Sequence, residues 1–102
     1  MESERAFAKA MTDIYHAAKR EGYTPTYFIQ MISELGPLAT AKRLIGSDVP
    51  SDGFTRLYEL GRLDLTVEAV CLDPQWSDLF TAEERRQART RLAAYGWGPT
   101  TR

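Results

Sequence analysis

Cysteine is nearly absent from this chain: Cys71 stands alone among 102 residues, which excludes an internal disulfide and makes a cysteine-based metal site a poor expectation. Histidine is as scarce. His16 is the sole imidazole, so acid–base and nucleophilic schemes that rely on one have a single candidate. No stretch approaches the ~18 consecutive apolar residues of a membrane helix. The opening MESERAFAKAM is charged and alternating where a secretory signal is continuously apolar. A phosphate-cradling glycine loop, an HExxH or CxxC pattern and a Ser/His/Asp set at triad spacing are missing too. No segment alternates in the manner of a strand, and no repeat or low-complexity run interrupts the chain. These absences lead us to expect a cytoplasmic protein that is not an enzyme, with no cofactor, no metal and no small-molecule substrate.

Neither sign of charge dominates, with 13 basic and 14 acidic residues for a net charge of −1. A polybasic arm is excluded, although local patches are not. The apolar fraction of 43% and charged fraction of 26% are those of a folded domain rather than a disordered tail. A chain of this length buries about two-thirds of its unfolded surface, enough for one core without a staple.

The apolar spacing is helical throughout. From Ser3 to Glu21, the residues Ala6, Phe7, Ala10, Met11, Ile14, Ala17 and Ala18 fall within an arc of about 140° at ~100° per residue, and Gly22 closes that helix. His16 lies nearly opposite Ile14, on a solvated face. Thr24 and Pro25 read as a cap followed by a first-turn proline, opening a stripe of Tyr27, Phe28, Met31, Ile32 and Leu35 that stops at Gly36. Pro37 opens a third helix, ending at Gly46.

The densest signals lie between Ser51 and Phe80. Ser51 caps a helix that ends at Leu60 before Gly61. Arg62 to Leu65 form a tight connection, Thr66 caps a second stripe of Val67, Val70, Cys71 and Leu72, and Asp73-Pro74 starts a last turn anchored by Trp76, Leu79 and Phe80. Thr81 and Glu84 form a capping box for a final helix to Tyr95, with Gly96 as its stop. The expected fold is all-α, a single domain over 1–96 of about six short helices around Phe28, Ile32, Leu44, Phe54, Leu57, Val70 and Phe80. Residues 97–102 are expected to form a flexible tail.

The runs Tyr23-Thr24-Pro25-Thr26-Tyr27-Phe28, Ala41-Lys42-Arg43-Leu44-Ile45, Gly53-Phe54-Thr55-Arg56-Leu57, Gly61-Arg62-Leu63-Asp64-Leu65-Thr66-Val67-Glu68 and Leu79-Phe80-Thr81 together resemble a family of small bacterial helical domains of unassigned activity. Members of that family occur alone or beside other domains, some of them nuclease-like. The resemblance covers roughly Ile14 to Gly96. It implies an all-helical fold and a role near DNA processing or defence, and it brings no catalytic residues.

Two classes of function fit. The first is a protein-interaction module, acting through the acidic stretch Ser51 to Phe80, which holds two basic and six acidic residues, or through exposed aromatics such as Tyr23 and Trp97. Trp97 follows the terminal glycine and either folds back over the first helix or stays open for a partner. The second is a nucleic-acid-associated accessory domain. Thr81 to Arg102 hold five basic and two acidic residues. If the terminal helices lie side by side, Arg5, Lys9, Lys19, Arg20, Arg85, Arg86 and Arg89 form one surface for phosphates. The competing explanation is that these cations pair with the acidic stretch. Glu59, Arg62, Asp64 and Glu68 read as helix-terminus charges and their partner rather than as metal ligands. The pair of helices from Thr24 to Ile45 has the length of a helix-turn-helix, but its turn is short, and only Thr40, Lys42 and Arg43 are placed to reach bases.

Overall fold

A computed structural model describes residues 2–97. It is all-α: among the described residues, six α-helices and two 3-10 turns account for all of the regular structure. The helices are α1 (Glu2–Arg20), α2 (Thr26–Leu35), α3 (Pro37–Gly46), α4 (Asp52–Glu59), α5 (Val67–Cys71) and α6 (Ala82–Ala94), with the turns Leu63–Leu65 and Pro74–Trp76 on either side of α5.

The punctuation read from the sequence is realised by hydrogen bonds. Ser51 Oγ accepts from the Phe54 N–H at 3.1 Å and Thr66 Oγ1 accepts from the Ala69 N–H at 3.1 Å. Thr81 and Glu84 exchange both bonds of the capping box, at 3.0 and 2.9 Å. Gly61, at φ 73°, turns the chain so that the Arg62 N–H reaches back to Leu57 O at 2.8 Å, a geometry that a side chain at that position would strain. The start of α2 differs from expectation. Pro25 stands before the helix as its cap, with ψ 76° and no side-chain cap, and Thr26 is the first helical residue. Pro25 is buried, so packing rather than capping fixes that entry.

Helix α3 is the common neighbour. It packs against α2, to which it is joined through Gly36, and against α1, α5 and α6, while α5 packs against α6 and α1. Phe7 and Met11 of α1 drop into this assembly and are fully buried with Ala41, Ile45, Cys71 and Ala88. Phe7 meets Trp76 and Phe80 edge-on, each at 5.4 Å between ring centres. The expected core is corrected accordingly. Phe54, Leu57 and Phe80 are buried, but Phe28, Ile32, Leu44 and Val70 sit at the margin, and α1 supplies the centre. The first helix is long and amphipathic enough to cross the others, so its two largest apolar side chains reach deepest.

The anticipated tail lies almost wholly outside the described residues. Trp97 is described, and it is docked: its N–H bonds Leu92 O at 3.0 Å, and its ring packs on the cluster of Phe54, Leu63 and Leu92. It folds back onto α6 and α4 rather than over α1. No helix among the described residues is long and apolar enough to cross a membrane.

Met11 is fully buried and Val49 is 65% exposed. Met11→Ala is expected to cost about 2–5 kcal/mol in urea denaturation through the cavity it leaves. Val49→Ala should stay within about 0.5 kcal/mol.

Candidate functional site

The sequence places Glu68 in the first turn of α5, where a carboxylate suits the helix dipole. The fold instead turns it inward. Glu68 is 2% exposed and Arg91 of α6 is 8% exposed, and Arg91 Nη1 donates to Glu68 Oε2 at 2.9 Å. The same Nη1 donates to Leu44 O at 3.2 Å, while Nη2 donates to Ser47 O. These carbonyls belong to the last turn of α3 and the residue that caps it, where helical acceptors lack internal partners. One guanidinium therefore closes α3 and holds the α5 carboxylate. Burial pushes the Glu68 carboxyl above its ordinary value, outweighing the opposing pull of Arg91.

On the other side of Glu68 lies a groove of about 330 Å³. Helices α1, α2, α3 and α4 contribute Ile14, Ala18, Phe28, Met31, Leu44 and Phe54 to walls that are mostly apolar. Polar side chains interrupt these walls, among them Tyr23, Ser51, Asp52, Thr66 and Glu68. Tyr23 is half-buried at the junction of α1 and α2, and a methyl group placed on Gly53 would lie 3.4 Å from its hydroxyl. Burial raises the Tyr23 pKa, and neighbouring Asp52 adds to that. Asp52 and Glu68 both line the groove, and among the described residues no Lys, Arg or His does. Tyr27 and Val49 stand at its rim, 66% and 65% exposed.

The two aromatics singled out in the sequence thus part company. Tyr23 is a groove residue, whereas Trp97 belongs to the Phe54 and Leu92 cluster and does not line the groove. The basic residues are dispersed. Lys9 pairs with Asp13 at 3.0 Å, Arg86 pairs with Glu83, and Lys19 sits 5.5 Å from the centre of the Tyr15 ring. Arg5, Arg20 and Arg89 are exposed, and Arg85 is half-buried, its Nε sealed off with no partner among the described residues. A joint basic face presupposes α1 and α6 side by side. Both helices instead have α3 and α5 as their principal neighbours.

The pairing of the last helix with the acidic stretch is made by Arg91 and Glu68, with Lys42 of α3 reaching Glu84 of α6 at 2.7 Å. Arg62 binds Asp64 and Glu21, and Glu59 meets Arg56. Among the described residues no three His, Cys, Asp or Glu side chains converge as a metal site. Thr40 is fully buried and Lys42 is engaged by Glu84, so of the three helix-turn-helix candidates Arg43 alone is free to extend into solvent. Comparison with protein-family models, curated proteins and solved structures finds no match. The Cys71 thiol is pushed up to about 12 by burial and then by the charge of Glu68, and its Sγ donates to Glu68 O at 3.3 Å. It is held protonated, and a protonated buried thiol is unreactive.

A signal for the hidden pair does exist in the sequence. Glu68 lies three residues before Cys71, and Arg91 lies three residues after Ala88, so opposite charges flank the buried stripes of two helices.

Folding raises the Glu68 pKa above its ordinary 4.5, so its bound proton favours the native state. That contribution is complete below about pH 4.5 and is lost as pH rises through the folded value. In urea denaturation from pH 4 to 7, wild type should lose stability relative to Glu68→Gln, which mimics the protonated acid. A difference that moves in favour of wild type across that range contradicts the assignment.

Proposed function

We propose that this domain is a non-enzymatic interaction module of a bacterial cytoplasmic protein, and that it receives a segment of a partner protein in the groove beside Tyr23. The observation that carries this reading is the groove itself: an open, mostly apolar cleft rimmed by the exposed Tyr27 and Val49. Exposed aromatic and apolar groups around a preformed pocket are the usual anchoring points of an interface. The resemblance to small helical domains found beside nuclease-like ones supports an accessory, recruiting role.

The chemistry around the groove favours binding over turnover. The Glu68 carboxylate is tied to Arg91, and burial raises the Tyr23 pKa, so the phenol is not a base at neutral pH. For nucleic acid, the dispersion and internal pairing of the cations on α1 and α6 leave a weaker case than the groove.

Selection of a displayed random-peptide library on the wild-type domain tests the reading, with counter-selection on a Tyr27→Asp, Val49→Asp double variant. Enriched peptides should bind wild type and lose at least tenfold in affinity for the variant. Peptides that bind both equally, or no enrichment at all, overturn it. In parallel, titration with DNA and RNA at about 50 and 200 mM salt should show no binding with the steep salt dependence of phosphate contacts. Binding of that kind, abolished by Arg85→Glu with Arg89→Glu, moves the assignment to the nucleic-acid class.

A further inference from the structure

We propose that the partner is a second copy of this chain, placed by a two-fold axis so that Tyr27 of each copy enters the groove of the other while Lys19 of each meets Asp52 of the other. This rests on the interaction reading above and names the occupant.

The rim supplies the apolar part. Tyr27 and Val49 are 66% and 65% exposed and both also line the groove, so a protruding ring and a recess lie on one face. A two-fold axis through such a face sets each protrusion over the other copy's recess and makes every contact twice. Helix α2 shows why the face is open. Its apolar residues Tyr27, Phe28, Ile29, Met31, Ile32 and Leu35 span an arc of about 200° at ~100° per residue, yet Met31 alone among them is buried, and α3 is the principal neighbour. An arc that wide carries more apolar surface than one neighbour covers.

The polar groups of the face complement one another. The hydroxyls of Tyr15, Tyr23 and Tyr27 each donate and accept, so the lining carries both halves of a hydrogen bond, and a copy of itself can complete them.

Charge points the same way. Asp52 lines the groove from the first turn of α4, and Lys19 stands 5.5 Å from the centre of the ring of Tyr15, which lines it from α1. Both are exposed, and neither has an ion-pair partner among the described residues. Arg56, whose charge also reaches Tyr23, is engaged by Glu59. A free cation and a free carboxylate on one face attract across a two-fold axis. At a net charge of −1, two copies meet with little overall repulsion. A groove of about 330 Å³ with a rim of few side chains makes an interface at the low end of the size range, so association is reversible.

Sedimentation equilibrium of the full chain between about 10 µM and 1 mM tests this. Wild type should pass from monomer to dimer across that range. Tyr27→Asp with Val49→Asp, both exposed, should stay monomeric and remain folded by circular dichroism. Lys19→Glu and Asp52→Lys should each weaken the dimer about tenfold, because each sets like charges together at two symmetric contacts. Mixed in equal amounts, these two single variants should associate again, since each chain then meets the opposite charge at both contacts. Misfolding of either variant does not produce that rescue.

A wild type that stays monomeric throughout, a dimer that survives the Tyr27 and Val49 changes, or single variants that fail to restore each other would each overturn the inference. If wild type is monomeric while library-selected peptides occupy the groove, the second copy is wrong and the interaction reading stands. If nothing occupies the groove, both fall.

Discussion

The guanidinium of Arg91 ties three helices of this molecule together, beside the Lys42–Glu84 and Gln87–Ser47 contacts that also join α6 to α3. It comes from α6, closes the C-terminal end of α3 through Leu44 O and Ser47 O, and fixes Glu68 of α5. Arginine suits the task because its planar fork presents several donors at once and stays charged when buried. The arrangement is also exacting. A buried pair gains little over well-packed apolar groups, but loss of one partner strands a charge and two carbonyls together, at a cost of about 3–5 kcal/mol. Stability and specificity are thus linked at one residue, and α3, the common neighbour of four helices, takes its C-terminal geometry from it.

The groove is a consequence of the same contact. Glu68, in the first turn of α5 (Val67–Cys71), is on the inward face of that helix. Its carboxylate stays between Arg91 and the cavity bounded by α1, α2 and α4. Most of the large aromatic side chains pack elsewhere: Phe7 meets Trp76 and Phe80 edge-on, and Phe54 and Tyr58 both meet Tyr95 edge-on at 5.0 Å. Phe28 and Leu44 remain at the edge of the core and become groove wall. An apolar cleft with one charged floor residue follows from where the large side chains are placed.

Local features of this fold were legible in the sequence because their causes are local. Ser51, Thr66 and Thr81 cap the helices for which they were read, and the stop at Gly61 falls where a positive φ was anticipated. The centre of the core was less legible. Periodicity identifies the buried face of each helix but not which helix crosses the others, so Phe7 and Met11 of α1 were underweighted against Phe28 and Leu44. The groove was hidden for the same reason. Its polar members, Tyr23, Asp52 and Glu68, are spread over 46 positions of chain numbering, from 23 to 68, and each is explained locally as a helix-end or first-turn residue. The role of Arg91 was hidden as well, since nothing near it in sequence names its acceptors 23 to 47 residues away.

The measurement that bears most directly on this account is amide hydrogen exchange on wild type and Arg91→Lys. Lysine keeps the charge but offers a single compact ammonium in place of the fork. If Arg91 closes α3 and anchors α5 together, protection should fall at least tenfold in the last turn of α3, from Leu44 to Gly46, and through α5, with the α1 amides less affected. Unchanged protection in both segments, or a loss confined to the last turn of α6, would contradict the central role assigned to this contact.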